Sequence, residues 1–173
     1  MKILTIQNRM GIGDMIIFLP FIEAIAKKFD TKVDLLVKEN SKASEYLKNN
    51  KYIKNIIILD RNTKNKKGEH DGIIGTFKLI YHLRKFKFDK IFIFNSSLRY
   101  NLIARFSSIK EIHQYPLYQK KNQHIIQAAQ NFLKNQINLD VDSNPNITID
   151  EQILKSNKIK NFSSEYKSIL LGI

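Results

Sequence analysis

The sequence predicts an α/β fold, a Rossmann-like doubly wound parallel sheet, from three observations. Strand-like and helix-like segments alternate along the chain, and strands separated by helices imply parallel pairing with right-handed crossovers. Residues 91–94, Ile-Phe-Ile-Phe, are continuously apolar, as a strand buried on both faces must be. The first strand-like run enters a helix through the turn Asn8-Arg9-Met10-Gly11-Ile12-Gly13-Asp14, and in such sheets ligands gather where strands end.

The elements follow in order. Residues 2–7 read as a buried strand. Residues 14–29 read as a helix, with Met15, Leu19, Ile22, Ala26 and Phe29 on one face. Pro20 falls inside that stretch, so a first turn ending near Phe18 and a restart at Pro20 are expected. Residues 31–38 form a second strand, and residues 41–48 a short helix capped by Asn40 or Ser41. Residues 56–59 are a third strand, followed over 60–71 by a polar loop carrying Arg61, Lys64, Lys66 and Lys67. Helices over 73–86, 98–106 and 123–135 and strands over 90–94 and 109–112 complete the alternation. The last of those helices turns Ile126, Ala129, Phe132 and Leu133 inward.

Residues 1–140 are thus expected to form one Rossmann-like domain. Residues 141–166 read as a linker with an exposed helix, and 167–173 as an apolar strand that stops at the chain end. Such a strand is expected to open a second, truncated domain.

An apolar fraction of 43% over 173 residues suffices for a core. No apolar run approaches the ~18 residues that a membrane-spanning helix needs, and the N-terminus has no secretory pattern. There are no cysteines, which excludes disulfides and thiolate metal sites and suits a reducing cytoplasm. The net charge of +13 points to an anionic partner: nucleic acid, a phosphorylated sugar or an anionic membrane face. Basic residues are spread rather than clustered, so compositional drift explains the charge equally well, and nucleic acid is disfavoured.

The turn itself carries the chemistry. Gly11 and Gly13 permit tight geometry and close approach of a ligand, and free N–H groups at a helix start attract anions or oxygen-rich sugars. The dinucleotide fingerprint needs a third glycine where Ile16 stands, and the P-loop pattern is absent. Asp14 reads plainly as a first-turn acid favoured by the helix dipole.

The pattern Lys2-Ile3-Leu4-Thr5-Ile6, Gly11-Ile12-Gly13-Asp14-Met15, Leu19-Pro20 and Ile22-Glu23-Ala24-Ile25 resembles the opening of glycosyltransferase family 9, the lipopolysaccharide heptosyltransferases. Three later segments are similar too: Phe88-Asp89-Lys90-Ile91 with Ser97-Leu98-Arg99, the helix begun by His124, and Leu170-Leu171-Gly172-Ile173. Many members carry an acidic residue and a Gln-Gly pair where this chain has Ile93, Asn95 and Ser96.

The resemblance implies the N-terminal, acceptor-binding half of a two-domain GT-B enzyme that inverts configuration. Such an enzyme moves a heptose or related sugar from a nucleotide donor to a lipopolysaccharide core. It implies Asp14 as general base, with Gly11, Gly13, Arg61, Lys64, Arg99 and His124 as acceptor contacts. No cofactor and no metal are implied; the nucleotide sugar belongs to the other domain, so this chain alone is expected to be inactive. The implied partner is an anionic glycan or lipid-linked acceptor, with peripheral contact at the inner membrane face. A stand-alone module for anionic ligands or nucleic acid is the competing reading, and a nucleotide-binding enzyme a third.

Overall fold

The computed structural model describes residues 1–9, 11–61, 68–117 and 124–144. Five parallel strands form one sheet: β1 (Ile3–Gln7), β2 (Val33–Lys38), β3 (Ile53–Leu59), β4 (Lys90–Ile93) and β5 (Glu111–Gln114). They lie in the order β3-β2-β1-β4-β5. The chain thus winds outward from β1 first one way and then the other, as a doubly wound sheet requires.

Helices cover both faces. Helices α1 (Ile12–Lys28), α2 (Ala43–Tyr46) and α5 (Ile125–Ile137) pack with Ile3, Val33, Val37, Phe92 and Phe94 in one apolar cluster. Helices α3 (Gly72–Phe86) and α4 (Leu98–Phe106) pack with Leu4, Ile6, Leu36, Ile91 and Ile93 in the other. Odd and even positions of β1 therefore feed opposite cores, which is the strand period of two at work. All five β1 residues are buried.

Several details depart from the sequence expectation. The first helix does not restart at Pro20 but runs unbroken from Ile12 to Lys28. A mid-helix proline costs about 3 kcal/mol, and here residues 18–22 are all buried, so apolar burial on several sides offsets that cost. The short second helix is interrupted: Glu39–Ser41 form a 3-10 turn, Lys42 takes φ +54°, and α2 begins only at Ala43. Strand β3 starts at Ile53, earlier than expected, because exposed Lys54 and Asn55 disguise a strand at the sheet edge. Strand β5 sits two residues later than expected, where Lys90 faces Glu111 in register and pairs with it.

The last helix starts at Ile125, two residues later than expected, and buries Ala129, Phe132 and Leu133. Its seat is aromatic: the rings of Phe94, Tyr115 and Phe132 lie 4.9 to 5.9 Å apart, all edge to face. Residues 140–144 carry no regular structure. The strand expected over 146–149, the exposed helix and the terminal apolar strand lie outside the described residues. Among the described residues no helix is long and apolar enough to cross a membrane.

Candidate functional site

The strand order reverses at β1, so the crevice between the carboxyl ends of β1 and β4 is the switch point of the sheet. Beyond β1, the chain passes Asn8 and Arg9 into the turn. Gly11 caps α1 with φ +103°, a conformation glycine adopts without the penalty other residues bear. No side chain caps this helix, so its first N–H groups are left for solvent or a ligand.

Asp14 is the third residue of α1 and half-buried. It forms no hydrogen bond or ion pair with the described residues. Gly13 precedes it with nothing within 4 Å of where a Cβ would stand. The packing of the protein therefore does not require glycine there.

A polar network spans the switch point. The Asn95 amide donates to Asn8 Oδ1 at 3.0 Å, and Asn8 donates to the Tyr100 hydroxyl at 3.2 Å. Asn95 Oδ1 accepts from the Ser97 amide at 2.7 Å, which fixes the start of α4. Gln114, at the end of β5, donates to the carbonyls of Asn95 and Ser97 at 2.9 Å each. Tyr100 is 1% exposed and also takes a hydrogen bond from Arg61.

Arg61 is not a free cation. Its Nε donates to Asp71 Oδ1 at 3.2 Å. Burial pulls its pKa down, but bonding to Tyr100 and Asp71 outweighs this and raises it. Arg99 donates to the carbonyl of His70; burial first, and the neighbouring Arg61 charge second, lower its pKa. Two guanidiniums thus share one corner with the Asp71 carboxylate.

The basic loop is tied at its neck. His70 donates its backbone N–H to the Asp60 carbonyl at 2.9 Å, and Asp60 N–H donates to His70 Nδ1 at 3.0 Å. Glu69 N–H reaches Asp60 Oδ2 and Gly68 N–H reaches Asp71 Oδ2, both at 2.8 Å. A Cβ on Gly75 would lie 2.3 Å from the His70 carbonyl carbon, so only glycine fits. Lys64, expected to contact the acceptor, lies outside the described residues.

His124 begins α5 as a cap, its Nδ1 accepting from Ile126 N–H at 3.4 Å. It also lines a groove of about 590 Å³ with Arg9, Ser96, Tyr115 and Asn131. A larger groove, about 710 Å³, lies between the later part of α1, the α2–β3 link and residues 139–144, and Asp14 takes no part in it.

Buried polar atoms without a partner concentrate along this rim. Among the described residues they include both side-chain polar atoms of Gln7, Asn40 Oδ1, Arg99 Nε and the Tyr115 hydroxyl. Gln7 ends β1, Tyr115 directly follows β5, and Asn40 and Arg99 follow β2 and β4 closely. Orphaned buried groups are costly, and all of these but His113 Nε2, which lies within β5, collect at this one edge. Sequence reasoning missed Gln7, Asn8, Tyr100 and Tyr115. Asn8 and Gln7 were findable as polar residues closing an otherwise apolar strand.

The five-stranded parallel sheet with helices on both faces defines a Rossmann-type domain. Solved structures share it. A glycosyltransferase family 9 protein from Veillonella parvula DSM 2008 matches 90% of this chain and 47% of its own at 16% identity, with a TM-score of 0.63. Heptosyltransferase WaaC of E. coli, solved with ADP-2-deoxy-2-fluoro heptose, matches 83% of this chain and 50% of its own at 11% identity and TM-score 0.56. The E. coli ADP-heptose LPS heptosyltransferase II matches 66% of this chain and 30% of its own, at 19% identity and TM-score 0.50. The chain therefore spans half the length of these structures or less. No family model matches the sequence, and no curated protein matches it. At such identities the likeness establishes the fold, and it agrees with the family resemblance carried by the opening turn.

Proposed function

We propose that this chain is the acceptor-binding domain of an inverting glycosyltransferase of the heptosyltransferase kind, with Asp14 as its general base. The observation that carries the reading is a half-buried carboxylate, without a partner among the described residues, at a helix start beside the switch point. A base needs a free lone pair and a position where the reacting hydroxyl can reach it.

The chemistry follows from that position. An acceptor hydroxyl oxygen forms a bond to the anomeric carbon of the donor sugar as the bond to the nucleoside diphosphate breaks. The hydroxyl proton passes to the Asp14 carboxylate. Attack opposite the leaving group inverts the centre, as in inverting glycosidases that activate water with one carboxylate. Free N–H groups of the α1 start and the partnerless amide of Gln7 supply donors and acceptors to sugar hydroxyls. The Arg61–Arg99 corner suits a phosphate or carboxylate on the acceptor. The donor is assigned to a second domain across the cleft of a GT-B enzyme, and the acceptor to a lipopolysaccharide core or related glycan.

The test is transfer from a nucleotide-heptose donor to a deacylated lipopolysaccharide core, read by mass spectrometry, with this chain joined to a donor-binding domain. Asp14→Asn is expected to lower kcat about 10²- to 10⁴-fold while KM and thermal midpoint hold. Unchanged turnover in that variant would remove Asp14 from the reaction.

A further inference from the structure

Seven of the ten large apolar side chains exposed among the described residues lie on two neighbouring helices. Ile73, Ile74, Phe77 and Tyr81 of α3 are 65% to 77% exposed, and Leu98, Leu102 and Phe106 of α4 are 41% to 58% exposed. Residues four apart share a helix face, so Ile73, Phe77 and Tyr81 form one stripe and Leu98, Leu102 and Phe106 another. A monomer seldom leaves more than a few hundred Å² of contiguous apolar surface uncovered. Seven such side chains approach the roughly 800 Å² per partner that a stable dimer buries.

The two stripes are self-complementary. Phe77 is the middle of the first and Leu102 of the second, and they are the sixth residue of α3 and the fifth of α4. Both helices start at the carboxyl edge and run the same way, because each is a crossover between parallel strands. A single two-fold axis laid across them therefore passes Phe77 and Leu102 together. It stacks α3 on α3 of a second copy and α4 on α4, antiparallel, with Ile73 against Tyr81 and Leu98 against Phe106.

Charge fits the same register. Before α3 lies Glu69, whose carboxylate is 60% exposed and 3.5 Å from the exposed Lys78 ammonium. An exposed pair of this kind is weak and open to exchange. Asp71, by contrast, is held by Arg61 within the protomer. Towards the other end of α3 stands the exposed Lys85, its ammonium 4.5 Å from the centre of the Tyr81 ring. Glu69 and Lys85 are equally far from Phe77 in sequence, so the antiparallel register sets Glu69 opposite Lys85 of the second copy, twice over. A face that is apolar along its middle and complementary to itself at its ends is what an isologous pair requires.

We propose that the α3–α4 face pairs this chain with a second copy of itself, antiparallel about Phe77 and Leu102. The pairing points the two carboxyl edges in opposite directions and leaves both candidate sites open. It needs no sugar, so it stands or falls independently of the acceptor reading.

The experiment is sedimentation velocity of the 173-residue chain over a range of concentrations at about physiological salt. A reversible dimer is expected, with a Kd in the micromolar range or tighter. Phe77→Glu is expected to weaken it at least tenfold with the thermal midpoint unchanged. Glu69→Lys and Lys85→Glu are each expected to weaken it about threefold, and the two changes together to restore it. A chain that stays monomeric overturns the proposal, as does a dimer that Phe77→Glu leaves intact. Charge reversals that weaken the dimer singly and are not rescued in combination overturn the antiparallel register. A large fall in thermal midpoint in Phe77→Glu also overturns the proposal, since the face is then covered by the chain itself. So does a monomer that floats with phosphatidylglycerol vesicles and loses them on Phe77→Glu, which makes the occupant a lipid surface.

Discussion

The side-chain amides of Asn8 and Asn95 meet at 3.0 Å across the crevice between β1 and β4. Each residue follows a strand end, and the two strands are neighbours although far apart in sequence. Their hydrogen bond holds the mouth of the switch point, and Asn95 also anchors α4 through the Ser97 amide. The geometry of the candidate site rests on this pair.

Asn95→Ala removes both side-chain bonds and is expected to destabilise the fold by about 1–2 kcal/mol. Asn8→Ala, which also strips a donor from Tyr100, is expected to cost about the same. A double-mutant cycle by urea denaturation should return a coupling of about 0.5–1 kcal/mol. Strict additivity would mean that the two amides do not interact in solution.

Glycines separate packing from ligand binding. Gly75→Ala forces a Cβ into the His70 backbone, and a loss of about 1–3 kcal/mol is expected. Gly13→Ala meets nothing within 4 Å, and helix propensity predicts a gain of up to about 1 kcal/mol. The same change is expected to weaken acceptor binding, because under the proposed function the added methyl stands where the acceptor approaches. Thermal melts paired with acceptor titrations of both variants check this; a Gly13→Ala protein that binds normally would remove the turn from the site.

Arg61 holds the neck of the basic loop through Asp71 and Tyr100. Arg61→Ala is expected to cost about 1–2 kcal/mol, the value of two hydrogen bonds with allowance for partial exposure. Arg61→Lys should recover less than half, because a point ammonium cannot reproduce the guanidinium fork. Full recovery with lysine, measured by denaturant midpoint, would show that charge alone matters there.

His70 is buried, and desolvation lowers its pKa from the ordinary 6.5. Its Nδ1 must stay unprotonated to accept the Asp60 N–H. The unfolded chain binds this proton more readily, so stability rises with pH through the window. The contribution is full above 6.5 and declines as pH falls below it. Asp34 opposes this at lower pH, since burial raises its pKa and folding then takes up a proton. Unfolding curves between about pH 7 and pH 5 should slope in the wild type and flatten in His70→Asn. An equal slope in both would exclude His70 as the source.

Much of the fold was legible because its signals are local. The apolar run 91–94 marked a strand buried on both faces, and Gly11-Ile12-Gly13-Asp14 marked the junction of β1 and α1. The uninterrupted helix through Pro20 was not legible, because burial from several sides decides it and one helix face does not report that. Nor was the start of β3, whose polar Lys54 and Asn55 reflect an edge position that only the strand order reveals. At the site, Asp14 and the glycines are visible in the turn, whereas Asn8, Asn95, Tyr100 and Gln114 join only through tertiary pairing. Arg61 was visible as a cation, but its ties to Asp71 and Tyr100 were not.

The central claim is that the carboxyl edge around Asp14 receives a glycan acceptor. Amide chemical-shift mapping of the 173-residue chain during titration with deacylated, phosphorylated lipopolysaccharide core tests it most directly. The account predicts saturable shifts at Gln7, Gly11, Gly13, Asp14 and Asn95 through Tyr100. Shifts confined to the groove beside Tyr46, Tyr52 and Leu139, or no saturable shifts at all, would contradict it.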